Sequence, residues 1–203
     1  MLKKEKSIVF STEEVRATVD GRKTMTRTVV KHPEKIDSYR FKLNFPQINI
    51  VDPKLPYRVG DILWVRETWS QLDADYRAVT GKLDIEDFKG CRIVYKADEN
   101  PEHFNYWRPS INMPRAAARL FLKVKDIRVE RLQDITEQDI LAEGTPFDRE
   151  IYEMPCNIQN AGATYLAGCF MRIWDSINAK RGYGWDLNPW VWVIEFERAE
   201  GVN

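Results

Sequence analysis

The chain has 203 residues, the length of one domain carrying insertions rather than of two full domains. Hydrophobic residues make up 43% of it and charged residues 31%, which excludes a disordered tail and predicts a soluble globular protein. Its 31 basic and 31 acidic side chains cancel, yet residues 1–60 hold 13 basic against 7 acidic groups, so a local basic face is compatible with a neutral whole.

In chain order, Ser7 to Phe10 reads as a short strand. Ser11 then caps a helix, with Glu14 closing a capping box, and the helix ends at Gly21. From Gly21 to Val30 the chain runs from a loop into a strand. Residues 31–57 carry four prolines and read as loop. Arg58-Val59-Gly60-Asp61 is a turn signal, and Ile62-Leu63-Trp64-Val65-Arg66 a buried strand. Residues 70–90 are acidic and weakly patterned, a surface excursion, and Arg92 to Lys96 is a further strand before a second proline-rich loop at 100–114.

Between Arg119 and Leu132 the alternation is clean but changes parity. Leu120, Leu122 and Val124 share one face, Ile127 and Val129 the other, so a bulge or turn is expected near Lys125-Asp126. Thr136 caps a short helix that stops at Gly144, and 145–162 reads as an insertion. Leu166, Cys169, Phe170, Ile173, Trp174 and Ile177 have the spacing of an amphipathic helix whose apolar face lies on a sheet. Trp190 to Phe196 is apolar on both faces except at Glu195, as a central strand would be. The sum is an α+β fold built on a small mixed barrel with flanking helices.

Three cysteines, Cys91, Cys156 and Cys169, are odd in number and form no C-x-x-C pair, which points to neither disulfides nor zinc and favours a reducing cytoplasm. His32 and His103 are too few and too far apart for a multi-histidine metal site or a histidine-based triad. Dinucleotide, Walker, nucleophile-elbow and zinc-protease motifs do not occur, so no metal and no cofactor is expected. No apolar run reaches the roughly 18 residues of a membrane span, so no membrane partner is expected either.

The densest polar constellation is Arg22-Lys23-Thr24-Met25-Thr26-Arg27. It reads either as a basic surface loop or as a site for an anionic or carbonyl-bearing ligand, contacted by Arg22, Thr24 and Arg27. A threonine hydroxyl becomes a nucleophile only when a base takes its proton, and a lysine is that base only when neutral. Lys23 and Thr26 are three residues apart, so a regular strand points them to opposite faces and they meet only if the chain bends near Gly21. Glu143 closes a helix where the dipole is negative, and reads as a surface carboxylate or as an acid or base in a cleft. Trp64 is assigned to the core, while Arg66 and Glu67 leave the same strand towards a pocket. Trp107, beside Arg108, is placed to stack on a base. Arg115 and Arg119 read as phosphate contacts or as solvated charges.

Gly21-Arg22-Lys23-Thr24-x-Thr26-Arg27, Arg58-Val59-Gly60-Asp61, Leu132-x-Asp134-Ile135-Thr136 with Glu143-Gly144, and Val193-Ile194-Glu195-Phe196 together resemble the ASCH family of the PUA-like superfold. The stretches Trp107 to Arg115, Trp174 to Asn178 and Asn188 to Trp192 look like a group of phage and prophage proteins. The resemblance implies a single PUA-like domain over residues 1–203, with insertions near 70–118 and 145–162, in the cytoplasm of a bacterial host cell. It implies binding of RNA or a modified nucleoside. One bacterial branch hydrolyses N(4)-acetylcytidine with a lysine, a threonine and a glutamate, which by motif position fall on Lys23, Thr26 and Glu143. The implied roles are Lys23 activating Thr26, Thr26 attacking the acetyl carbonyl, and Glu143 handling the proton of the leaving amine. Two other expectations stand beside this one: RNA binding without catalysis, and a phage accessory protein whose loops contact a protein partner.

Overall fold

A computed structural model of the chain describes residues 5–35, 56–72, 92–98, 106–145 and 165–199. Of the two expected insertions, the stretch from 146 to 162 lies outside the described residues, and the other is described only at 70–72, 92–98 and 106–118. In chain order the regular elements are β1 (Glu5–Val9), α1 (Thr12–Val19), β2 (Met25–Val29), β3 (Ile62–Arg66), β4 (Trp69–Leu72), β5 (Arg92–Tyr95), β6 (Phe121–Arg131), α2 (Glu137–Ala142), α3 (Tyr165–Asn178) and β7 (Trp190–Arg198). Five strands form one sheet in the order β1-β3-β6-β7-β2, and β4 pairs with β5 in a second sheet. β1 runs parallel to β3, while β3–β6 and β2–β7 are antiparallel, so the fold is mixed α+β.

Among the described strands this sheet is open, not the closed small barrel expected from sequence. A barrel closes only when its end strands exchange backbone hydrogen bonds. Just before β2, the backbone at Thr24 instead donates to the carbonyl of Ala142 at 2.8 Å. No described helix is long and apolar enough to cross a membrane.

The chain forms two compact units, the first drawn from Met1–Asp20, Gly60–Val124 and Glu197–Asn203, the second from Gly21–Val59 and Lys125–Phe196. In the first, Leu63, Val65, Leu122 and Val124 are buried completely. α1 begins with the capping box expected from Ser11 and Glu14, whose reciprocal bonds measure 3.2 and 2.9 Å. It buries Val15, Ala17 and Thr18. Two expectations need correction here. Ser70, Gln71 and Leu72 are a buried strand, not a surface excursion, because β5 supplies their ladder and Trp69 anchors a small core with Met113 and Ala117. Trp64 is only half-buried, on the sheet face opposite Leu63 and Val65.

In the second unit, Val191, Trp192, Val193 and Ile194 of β7 are all buried between β6 and β2, as a central strand requires. Phe170 and Trp174 of α3 pack with Met25, Leu132, Ile140, Val191 and Val193. Ile177, which the spacing assigns to the same helix face, is 51% exposed, because it lies in the last turn, past the packed stretch. β6 runs unbroken from Phe121 to Arg131. Lys125 and Asp126 are both exposed, and the buried face changes across them, where the chain passes from one unit to the other.

Candidate functional site

β2 divides its side chains between two faces. Met25 and Arg27, paired with Glu195 and Val193, lie on one side, and Thr26 and Thr28, paired with Ile194 and Trp192, on the other. Met25 enters the core beside Ile140 of α2. Arg27 follows on the same face and meets the two carboxylates that α2 and its C-cap present one turn apart, Asp139 and Glu143.

Arg27 donates from Nη2 to Asp139 Oδ2 at 2.9 Å and from Nη1 to Glu143 Oε1 at 3.1 Å. The other carboxylate oxygen of Glu143 accepts from Lys23 Nζ at 3.0 Å, and Lys23 also donates to the Glu143 backbone carbonyl at 3.0 Å. An isolated antiparallel bridge joins the backbones of Lys23 and Glu143, 120 residues apart in the chain. The Lys23 and Arg27 side chains are 1% exposed and that of Glu143 7%. Arg27 Nε is buried with no hydrogen-bond acceptor among the described residues.

The network continues along the sheet. Arg27 reaches Glu130 at 3.6 Å, and Arg128 pairs with Glu130, Glu195 and Asp139. Carboxylates therefore outnumber cations in the cluster. Burial works to raise the Asp139 carboxyl, but the Thr136 amide and Arg27 outweigh it and hold the group below its ordinary value.

Thr26 is buried, and strand alternation sets it on the face of β2 opposite Arg27. On that other face a cavity of ≈ 360 Å³ is lined by Thr28, Lys31, His32, Pro56 and Trp192 among others. Arg22 and Thr24 are exposed beside the buried Lys23.

The remaining candidates belong to the first unit. Glu67 is 1% exposed and accepts two hydrogen bonds from Arg119, at 2.9 and 3.0 Å. Arg119 also pairs with Asp98 at 2.7 Å and lies 3.8 Å over the Tyr95 ring. Burial raises the Glu67 carboxyl, only partly offset by Arg119, and pushes the Tyr95 hydroxyl up to about 12. Arg115 holds Glu5 through two bonds, at 2.9 and 3.2 Å, and covers Phe121. Both arginines expected to contact phosphate or solvent are thus engaged by carboxylates. Arg66 lies over Trp64 and donates to the carbonyl of Ile111. Trp107 is half-buried next to Arg108, which stacks on Trp69 and Tyr106.

The structure therefore gathers Lys23, Arg27 and Glu143 and leaves Thr26 across the strand. Asp139, Arg128, Glu130 and Glu195 were missed by the sequence reading. For Asp139 a signal exists in the sequence, the i,i+4 spacing to Glu143 on a capped helix. Among the described residues no group of His, Cys, Asp and Glu is arranged to hold a metal ion. No family model matches the chain, and no match emerges among curated proteins or solved structures.

Proposed function

We propose that the chain is an ASCH-like, PUA-type domain that recognises a modified nucleoside and hydrolyses an N(4)-acyl amide such as that of N(4)-acetylcytidine, in the cytoplasm of a bacterial host. The buried pairing of Lys23 with Glu143, beside Arg27, carries the reading. Taking such charges out of water is costly, and apolar residues of equal volume would often stabilise a fold as well. A cluster kept at that cost supports a role beyond packing. Lys23 and Arg27 direct their charge into carboxylates, so a neutral ligand rich in carbonyl and amino groups suits them better than a phosphate chain. The mixed α+β fold is compatible with the PUA-like part of the proposal, although the described sheet is open.

In the reaction, a hydroxyl oxygen adds to the acyl carbon as its proton passes to the Lys23–Glu143 pair, the C–N bond breaks, and the pair returns that proton to the leaving amine. Lys23 and Glu143 are the proposed acid–base pair, with Thr26 as nucleophile if the chain turns it towards them. Water then releases the acyl group. A second reading, recognition of RNA or a nucleoside without turnover by a phage accessory protein, is favoured by one observation: Thr26 lies on the strand face opposite Arg27.

Incubation with N(4)-acetylcytidine, followed by ultraviolet absorbance and chromatography, tests both. Turnover should fall at least roughly 100-fold in Lys23→Met and Glu143→Gln, the scale of a lost acid–base group, with circular dichroism confirming folding. Loss in Thr26→Val as well assigns the nucleophile. Calorimetric binding without turnover selects the second reading, and neither binding nor turnover by folded protein rejects the substrate.

A further inference from the structure

The first unit carries a second arrangement that the Lys23 cluster does not use. Trp64 of β3 stands directly opposite Phe121 of β6, and Ser7 of β1 flanks Trp64 on its other side. Directly paired residues project to one face, so Ser7, Trp64 and Phe121 share it, and alternation adds Val9 and Arg66. The opposite face is the apolar core of Leu63, Val65, Leu122 and Val124. This face is only partly covered: Phe121 is 6% exposed beneath Arg115, whereas Trp64 and Arg66 are half-buried, Val9 is 51% exposed and the neighbouring Ile111 66%.

Two guanidinium groups lie on its rings, Arg66 at 5.5 Å from the centroid of Trp64 and Arg115 at 4.6 Å from that of Phe121. They differ in charge balance. Arg115 is neutralised by Glu5. Arg66 donates to the carbonyl of Ile111, its Nε is buried without an acceptor, and no carboxylate among the described residues pairs with it. A flat cation resting on an indole, short of a counter-charge, at the half-buried end of a sheet face suits a base that stacks and a phosphate that neutralises.

We propose that this face of the first unit holds single-stranded RNA, one base stacking over Arg66 and Trp64 and a backbone phosphate taking the charge of Arg66. It extends the nucleoside reading from a single residue to the strand that carries it, and rests on that reading only for the class of ligand.

The test is fluorescence anisotropy of a labelled oligoribonucleotide, about ten nucleotides long to exceed a minimal site, with the whole chain at low salt. Stacking of one base contributes about 1–3 kcal/mol, so Arg66→Ala and Trp64→Leu should each weaken binding by roughly 5- to 150-fold. Arg66→Lys should recover the salt dependence that Arg66→Ala loses, while recovering only part of the affinity. Unchanged binding in Arg66→Ala and Trp64→Leu overturns the proposal, as does absence of oligonucleotide binding by the folded wild-type protein. A dimer that Trp64→Leu dissociates, in a chain that binds no oligonucleotide, would make the face a self-contact and equally overturn it. Turnover of free N(4)-acetylcytidine by the unaltered protein is read separately, so oligonucleotide binding with no turnover counts against the nucleoside hydrolase alone.

Discussion

Glu67 is a single residue with a measurable signature. It is almost fully buried, with Arg119 as its counter-ion, and its carboxyl lies above the ordinary 4.5. Between that value and the raised one, the folded chain holds a proton that the unfolded chain has released. The stability this group contributes is therefore complete below pH 4.5 and is lost as pH rises through the folded value. Urea midpoints taken in steps upward from pH 4.5 should decline with a component that Glu67→Gln removes. A slope identical in both proteins would assign the decline to other groups. Asp139 has the opposite sign: its lowered carboxyl stabilises the fold above the ordinary 3.8, and that contribution is lost as pH falls through the folded value.

At the scale of elements, α2 has six residues, too few to be stable as an isolated helix. It is held from outside. Thr136 and Asp139 form its capping box, and Arg27 grips Asp139 in the first turn and Glu143 at the C-cap. Asp139 Oδ2 accepts both the Thr136 amide and Arg27, so cap and site share one oxygen. Thr136→Ala should cost about 1 kcal/mol in denaturant unfolding, the usual penalty for a lost cap. Amide exchange should also quicken over 137–143, with α1 unaffected. Unaltered exchange there would mean that Arg27 alone holds the helix. Both caps were legible in sequence, because a capping box is a local pattern of four residues. The grip of Arg27 was not, since it joins side chains more than 110 positions apart and no local period records such a pairing.

For the whole molecule, β6 is the informative strand. Its two halves bury opposite faces, Leu122 and Val124 in the first unit, Ile127 and Val129 in the second. Leu122→Ala and Ile127→Ala should each cost about 2–5 kcal/mol, and amide shift changes should concentrate in the first unit for Leu122 and in the second for Ile127. Shifts spread equally over both units by either change would show that the division is not mechanical. The parity change at Lys125-Asp126 was readable from sequence because strand alternation has period two. Of the two forms expected there, the turn is not found, since the strand is continuous from Phe121 to Arg131. The two-unit division and strand β4 escaped notice for another reason. Ser70 and Gln71 are polar and yet buried, so a pattern based on apolar alternation passes over them. Of the site, Lys23, Arg27 and Glu143 were legible as residue types. The side of the strand on which Thr26 lies was left conditional on a bend, and tertiary pairing with β7 decides it.

The burial of Lys23 and Arg27 also governs how the protein meets its ionic surroundings. At 1 M salt the Debye length contracts to about 3 Å, and mobile ions dissolve the attraction between solvent-facing charges such as Lys123 and Glu197, each nearly half exposed. Groups that are 1% exposed are screened much less. The basic surplus of residues 1–60 is thus partly spent inside the fold, where brine weakens it far less than it weakens a surface pair.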